Sequence, residues 1–309
     1  MTEMTGLEAV LMTIIAAATP LLLAAIGELV AERSGVLNLG VEGMMIMGAI
    51  GGFAAAYVSG SAMLGVAAAV GAGAGLSLLF AFLTQTLVSN QVATGLALTL
   101  FGLGLSGLIG EAFTGLPGVK LQPLHVPGLS DLPLLGPVIF GHDLIVYASV
   151  ALTVLVAWVL ARTRLGLVIR ATGGNHHSAH ALGYNVIAVR YGCIAFGGAT
   201  AGLAGGYLSL VYTPQWIENM TAGRGWIALA LVVFSTWAPR RVAVGAYLFG
   251  TVWIMGLYVQ GIGINIAPQF LASLPYLITI AALVVISGNR LLTKVNTPAC
   301  LGQPFVPDR

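Results

Sequence analysis

The chain has 309 residues, 58% of them apolar, and only 7% are Asp, Glu, Lys or Arg, where a soluble domain carries about a quarter. Twelve basic and 10 acidic side chains are too few to clothe a globule of this size, which excludes a water-soluble fold and leaves lipid as the solvent. A net charge of +2 gives no whole-chain attraction to nucleic acid, so the information lies in where the charges sit.

The stretch 1–10 holds Glu3 and Glu8 but no Lys or Arg. It therefore lacks the basic start of a cleavable signal peptide, and the first apolar run is expected to be a retained span. Stretches of about 20 apolar residues fall near 9–27, 36–58, 62–88, 92–110, 143–161, 191–213, 223–238, 242–260 and 269–287. The fold class expected is an all-α, polytopic integral membrane protein of about nine spans. The run at 223–238 is short, and the Gly-rich runs at 36–58 and 62–88 could be broken or re-entrant, which is tolerated where backbone is buried in protein. The 42 glycines suit close approach of apolar helices.

Positive charge in short loops sets orientation. With the amino terminus outside and nine crossings, the inner side receives Arg33, Arg162, Arg164, Arg170, Arg190, Arg240, Arg241, Arg290, Lys294 and Arg309. The outer side receives Lys120 and Arg224, together with most acids: Glu3, Glu8, Glu111, Asp131, Asp143 and Glu218. An even number of spans would spoil the sorting. The expected organisation is a transmembrane domain over 1–290 and a cytoplasmic tail over 291–309.

Two connections are long. The outer one, 111–142, is rich in Pro and Gly and reads as an external cap or docking surface. The inner one, 162–190, holds four arginines and no acid. Its middle, 175–182, is expected to form about two helical turns, preceded by Gly173 and Gly174 and stopped by Gly183. A short helix between two spans suits contact with a cytoplasmic partner.

No phosphate-binding loop, zinc spacing or nucleophile elbow is present, so no catalytic residue is assigned and any ATP use belongs to another polypeptide. Cys193 and Cys300 show neither metal nor disulfide spacing. Glu42, in GVLNLGVEGMMIMGA, is read as the one carboxylate deep in a span, facing a cavity or bonded to a neighbour such as Arg33. Asn38, one turn earlier, shares its face. Ser89, Asn90, Gln91 and Thr94 open the fourth span. Gln91 and Thr94 are the better candidates for a hydroxylated solute, because Ser89 and Asn90 equally suit a helix cap. His176 and His180 share a face as metal ligands do, yet no carboxylate or cysteine stands beside them, so a partner-facing surface is the reading and no metal is assigned. Asn219-Met220-Thr221 matches a glycosylation sequon, a pattern common by chance.

Three blocks resemble the membrane subunits of bacterial ABC importers, in the branch of ribose, nucleoside and branched-chain amino-acid permeases. They are ERSGVLNLGVEGMMIMGA (32–49), LGLVIRATGGNHHSAHALGYNV followed by GGATAGLAGG (165–206), and GRGWIALALVVFSTWAPRRVAVGAYLFG (223–250). The resemblance runs from about Glu32 to Ser287 and is nearest to the shorter, nucleoside-type permease. It implies a transmembrane domain of the type II-like class with a cytoplasmic coupling helix, on which Arg170, Gly173, Asn175, Ala179 and Gly183 match the pattern. Gly174 stands where an acid is usual, His176 where Pro is usual, and Ala238-Pro239 where Asn-Pro is usual.

The resemblance further implies an ATPase subunit that binds ATP and Mg, a longer sister permease, an extracytoplasmic binding protein, and residence in the bacterial inner membrane with the carboxyl terminus in the cytoplasm. No cofactor and no nucleic acid is expected of this chain itself. The solute expected is a nucleoside, with a sugar or branched-chain amino acid as alternative. Asn38, Glu42, Gln91 and Thr94 are candidates for the pathway, with Glu218 and Arg224 near its outer mouth. An ion-coupled secondary transporter would need paired intramembrane ionisable groups, and only Glu42 is expected deep in a span, which argues against it. A purely structural scaffold would leave the basic inner helix unexplained.

Overall fold

The computed structural model describes residues 6–124, 127, 130, 135–261, 267–287 and 296–307. Glu3, Asp131, Arg290, Lys294 and Arg309, which carry part of the charge sorting, lie outside the described residues. Among the described residues the fold is all-helical. The helices are α1 (Gly6–Arg33), α2 (Val41–Ser59), α3 (Ala62–Ala81), α4 (Gln91–Gly110), α5 (Leu135–Phe140), α6 (Leu144–Arg162), α7 (Arg164–Gly174), α8 (His176–Ala181), α9 (Val186–Tyr207), α10 (Arg224–Phe234), α11 (Pro239–Gly261) and α12 (Pro268–Ser287). Two π-helical turns, Phe82–Thr86 and Leu208–Tyr212, extend α3 and α9.

Seven helical stretches among the described residues are long and apolar enough to cross a membrane: α1, α2, α3, α4, α6, α9 and α11 with their extensions. The run expected at 223–238 contains only the 11 residues of α10, about 16 Å of helix and roughly half a bilayer core. It is preceded by non-helical chain from Thr213 to Gly223. The run expected at 36–58 is likewise helical only from Val41, while 62–88 is one helix with a π-helical end.

Capping follows local sequence. Asn90 Oδ1 accepts from Ala93 N at 3.0 Å, so this residue is the cap of α4. Asp143 Oδ1 accepts from Ile145 N at 2.8 Å and Val146 N at 3.2 Å and so starts α6. Asn175 Oδ1 accepts from Ser178 N at 3.0 Å at the head of α8, and Gly183, at φ +89°, ends that turn. The helix expected at 175–182 is therefore present, and α7 adds a second helix before it.

α1 and α9 stand at the centre, with α2 and α3 packed on α9 and with α6, α10 and α11 around α1. The contacts are backbone on backbone. A side chain at Gly48 or Gly73 would collide with the main chain of Gly202, and one at Gly205 with that of Met45. Gly198 and Gly202, in the Gly-rich run that follows the 162–190 connection, thus clamp α9 to α3. With lipid tails as apolar as Leu, this close van der Waals contact supplies much of the association. Outward faces carry exposed Leu100, Leu108, Val154 and Trp158, as surfaces bathed in lipid or covered by another subunit do.

Candidate functional site

Two places concentrate polar chemistry: a junction inside the helix bundle and a hairpin at one end of it.

At the junction, the chain between α1 and α2 is not helical, yet Ser34, Val36, Asn38 and Gly40 are buried. In lipid every such backbone group needs a partner, and side chains from distant helices supply them. Leu37 N donates to Gln91 Oε1 at 2.9 Å, and Asn38 N to Glu28 Oε1 at 3.2 Å. Gly40 N donates to Asn38 Oδ1 at 2.9 Å, and Thr99 Oγ1 donates to Leu39 O at 3.0 Å. Asn38 and Gln91, two candidates for the pathway, are thus spent largely on holding this stretch and are buried, at 1% and 4% exposure. Thr94 is half-buried and shares a 2.8 Å hydrogen bond with Ser89.

Glu42, in the first turn of α2, is also buried. Its Oε1 accepts from Thr221 Oγ1 at 2.6 Å and Gly223 N at 2.8 Å, and its Oε2 accepts from Gly225 N at 2.6 Å. The carboxylate therefore caps α10 from another helix, where free N–H groups and the helix dipole favour a negative charge. A side chain at 225 would strike Glu42, so Gly225 permits the approach. The turn feeding α10 is bent hard: Asn219, Ala222 and Gly223 have φ of +56°, +48° and +80°. Above it, Trp216 is buried against Gly110 at the end of α4. The expected contact between Glu42 and Arg33 is not made. Arg33 instead donates to Trp237 O at 2.8 and 3.1 Å and to Asn296 O at 3.0 Å.

Glu218 is exposed, with Oε1 near Gly107 on α4. Arg224 is half-buried, donates to Met220 O at 3.0 Å, and lies over the rings of Trp253 and Tyr212 at 5.0 and 5.7 Å. The structure thus gathers Glu42 and Arg224 on the two sides of one broken segment, while Glu218 and Thr94 sit apart from them.

Glu42 is not the one deep carboxylate. Glu28 and Glu32, successive turns of α1, are 1% and 0% exposed. Glu32 accepts from the Trp237 indole, and each has one buried oxygen without a partner. Sequence reading passed over them because they fall beyond the apolar run at 9–27; their i, i+4 spacing was the available signal. Two further buried carboxylates one helical turn apart are therefore present, and the scarcity of such groups does not argue against an ion-coupled reading.

At the end of the bundle where α1 finishes and α9 begins, α7 and α8 form a hairpin bolted to it. Gly173 is pressed on the main chain of Arg33 and Gly35, and its carbonyl accepts from Cys300 N at 2.9 Å. Arg190, wholly buried, binds four segments: Nε donates to Ser34 O at 3.3 Å, Nη1 to Gln85 Oε1 at 3.3 Å and Gln303 O at 3.1 Å, and Nη2 to His176 Nδ1 at 3.1 Å. The last bond requires Nδ1 to be unprotonated, and burial, then Arg190, then His177 all push the His176 pKa below its usual value. The rings of His176, His177 and His180 surround Phe305 of the tail at 5.2, 5.8 and 5.4 Å. Among the described residues no group of His, Cys, Asp or Glu is placed to hold a metal. Of the coupling candidates, Gly173 and Ala179 face inward, while Arg170, Asn175 and Gly183 are exposed. Arg190 was counted in the sequence only as an inner charge, and nothing local marks it as a hub.

Comparison with known proteins agrees with this architecture. The chain is 41% identical to a putative glucose ABC transporter permease protein of Haloferax volcanii, over 94% of both chains. It is 30% identical to a guanosine ABC transporter permease protein of Bacillus subtilis, over 94% of this chain and 93% of that one. It is 29% identical to a nucleoside ABC transporter permease protein of Lactococcus lactis, over 90% and 92%. No solved structure matches the chain significantly. The family model described as branched-chain amino acid transport system/permease component matches residues 10–287, and the chain belongs to this family of ABC transporter permeases, a multi-pass membrane protein.

Proposed function

We propose that this chain is the pathway-forming subunit of an ATP-driven importer, sited in the cytoplasmic membrane with its amino terminus outside and its carboxyl terminus in the cytoplasm. The observation that carries the reading is the α7–α8 hairpin. It offers Arg170, Asn175 and Gly183 outward, while Gly173 and Arg190 tie it rigidly to α1, α3, α9 and the tail. A handle so fixed passes movement into the bundle instead of absorbing it.

In this scheme a separate ATPase subunit binds ATP and Mg, closes, and displaces the hairpin; the bundle then exchanges which side is open. The interrupted segment capped by Glu42 is the natural place for rearrangement, since broken helices mark binding and gating regions in transporters. Solute arrives on an extracytoplasmic binding protein and crosses between this chain and a longer sister permease. Glu218, Arg224 and Thr94 face that path, and Asn38, Glu42 and Gln91 support its wall.

The solute we infer is a nucleoside, which the third sequence block and the guanosine and nucleoside relatives favour; a sugar is the second reading, favoured by the relative in Haloferax volcanii. Reconstitution with a candidate ATPase subunit, sister permease and binding protein tests the scheme. ATP-dependent uptake of radiolabelled guanosine or glucose supports it and separates the two solutes. Uptake by the chain alone down an ion gradient refutes it and revives the coupled transporter.

A further inference from the structure

A cleft of about 940 Å³ opens at the inner end of the bundle between α6 and α11, and its chemistry divides along its length. The inner end holds Arg33, Arg162, Arg170, Arg240 and Arg241, with no carboxylate among the described lining residues. The limb above it is mainly apolar, bounded by Leu22, Val150, Val154, Ala157 and Trp158, with Tyr247 and with Thr153, whose hydroxyl donates to Ser149 O at 2.8 Å. From Arg162 back to Val150, α6 rises about 18 Å, roughly the depth of one leaflet's hydrocarbon. Val154 and Trp158 are 63% and 57% exposed, so the cleft opens sideways.

Five guanidinium groups gathered without a counter-charge repel one another. Arg33 is occupied by two carbonyls, and Arg241 donates to Thr236 Oγ1. Arg162, Arg170, Arg240 and Arg241 stay exposed, and the bond to Thr236 uses only one nitrogen of Arg241. Arg240 and Arg241 also stand in the first turn of α11, where the helix dipole already favours an anion. The missing partner is therefore negative, and it continues into an apolar body lying along α6.

We propose that the cleft binds an anionic phospholipid of the inner leaflet, its phosphate held by Arg162, Arg240 and Arg241 and one acyl chain lying in the limb past Ala157 and Val154. Basic pockets between spans on the cytoplasmic side hold such head groups by the same attraction. A lipid wedged there ties α6, which leads into the α7–α8 hairpin, to α11. Membrane composition thereby influences how firmly the hairpin is held.

The test uses the full chain in the assembly it forms in the membrane. Native mass spectrometry and lipid extraction follow delipidating washes, with cardiolipin, phosphatidylglycerol and phosphatidylethanolamine added back as probes. Wild type is expected to retain the two anionic lipids over phosphatidylethanolamine. The triple variant Arg162→Gln, Arg240→Gln, Arg241→Gln is expected to lose them, at about fivefold in affinity per arginine removed. Ala157→Trp fills the apolar limb with every arginine in place and is expected to lose lipid as well; it also keeps the test alive if the triple variant fails to assemble. Full retention by the triple variant overturns the proposal. Retention of the anionic lipids by Ala157→Trp overturns it too, since the acyl limb would then be unused and the arginines would be serving any free phosphate. Cross-linking of Val154→Cys to another subunit in place of lipid also refutes it.

Discussion

Arg190 on α9 and His176 at the head of α8 are joined by a 3.1 Å bond from guanidinium to Nδ1, and this one contact connects the hairpin to everything Arg190 holds. The same guanidinium reaches the α1–α2 turn, the end of α3 and the tail. A charge wholly buried with neutral acceptors is stable only while those acceptors surround it.

Arg190→Met leaves the carbonyls of Ser34 and Gln303 and the Gln85 side chain without this donor. The expected loss is about 3–5 kcal/mol, read as a fall in the thermal midpoint of the detergent-purified protein. Arg190→Lys keeps the charge but not the fork and is expected to recover only part of it. A midpoint unchanged in both variants refutes the hub.

The bond to His176 makes the hairpin sensitive to acid. Because the folded state depresses the pKa of His176, the unfolded chain binds more protons below about pH 6.5, and stability rises with pH through that window. Amides of Cys300 and Gln303 are therefore expected to exchange faster at pH 5.5 than at pH 7.5, after correction for intrinsic rates. In His176→Gln, which keeps an acceptor but does not titrate, that difference should shrink. An equal difference in both proteins places the titration elsewhere.

Glu42→Ala removes the acceptor of three donors at the start of α10. We expect about 3 kcal/mol of lost stability and loss of transport. Glu42→Gln, which retains one carbonyl oxygen, should fall between. Transport at the wild-type rate by Glu42→Ala, at equal expression, contradicts the supporting role of this carboxylate.

Asn175→Lys or Gly183→Glu places bulk and charge on the exposed side of the hairpin. Membrane insertion should persist while ATP hydrolysis by the partner no longer drives uptake. For Gly183 a further cost of about 1 kcal/mol arises because its φ of +89° disfavours any side chain. Normal coupling in both variants would move the drive to another surface.

Gly202→Val drives a branched side chain into the main chains of α3 at Ala69 and Gly73. The expected outcome is failure to fold, seen as loss of the monodisperse peak on gel filtration. Gly104, with open space around its Cβ position, accepts Ala with a shift of less than about 1 kcal/mol.

By itself the sequence determined the solvent, the helical class, a short helix near 175–182 stopped by Gly183, and Ser89 or Asn90 as a cap of the fourth span, because hydropathy and capping depend on neighbours a few residues away. The tertiary structure alone decided that residues 34–40 run unwound inside the bundle, that Glu42 caps a helix about 180 residues further along the chain, and that Arg190 joins four segments. It also exposed Glu28 and Glu32 as a buried pair. In lipid a polar group is satisfied by whichever partner the packed helices bring to within 3 Å, and that proximity is written in the packing of α1, α2, α4, α9 and α10 together, not in any one stretch of residues.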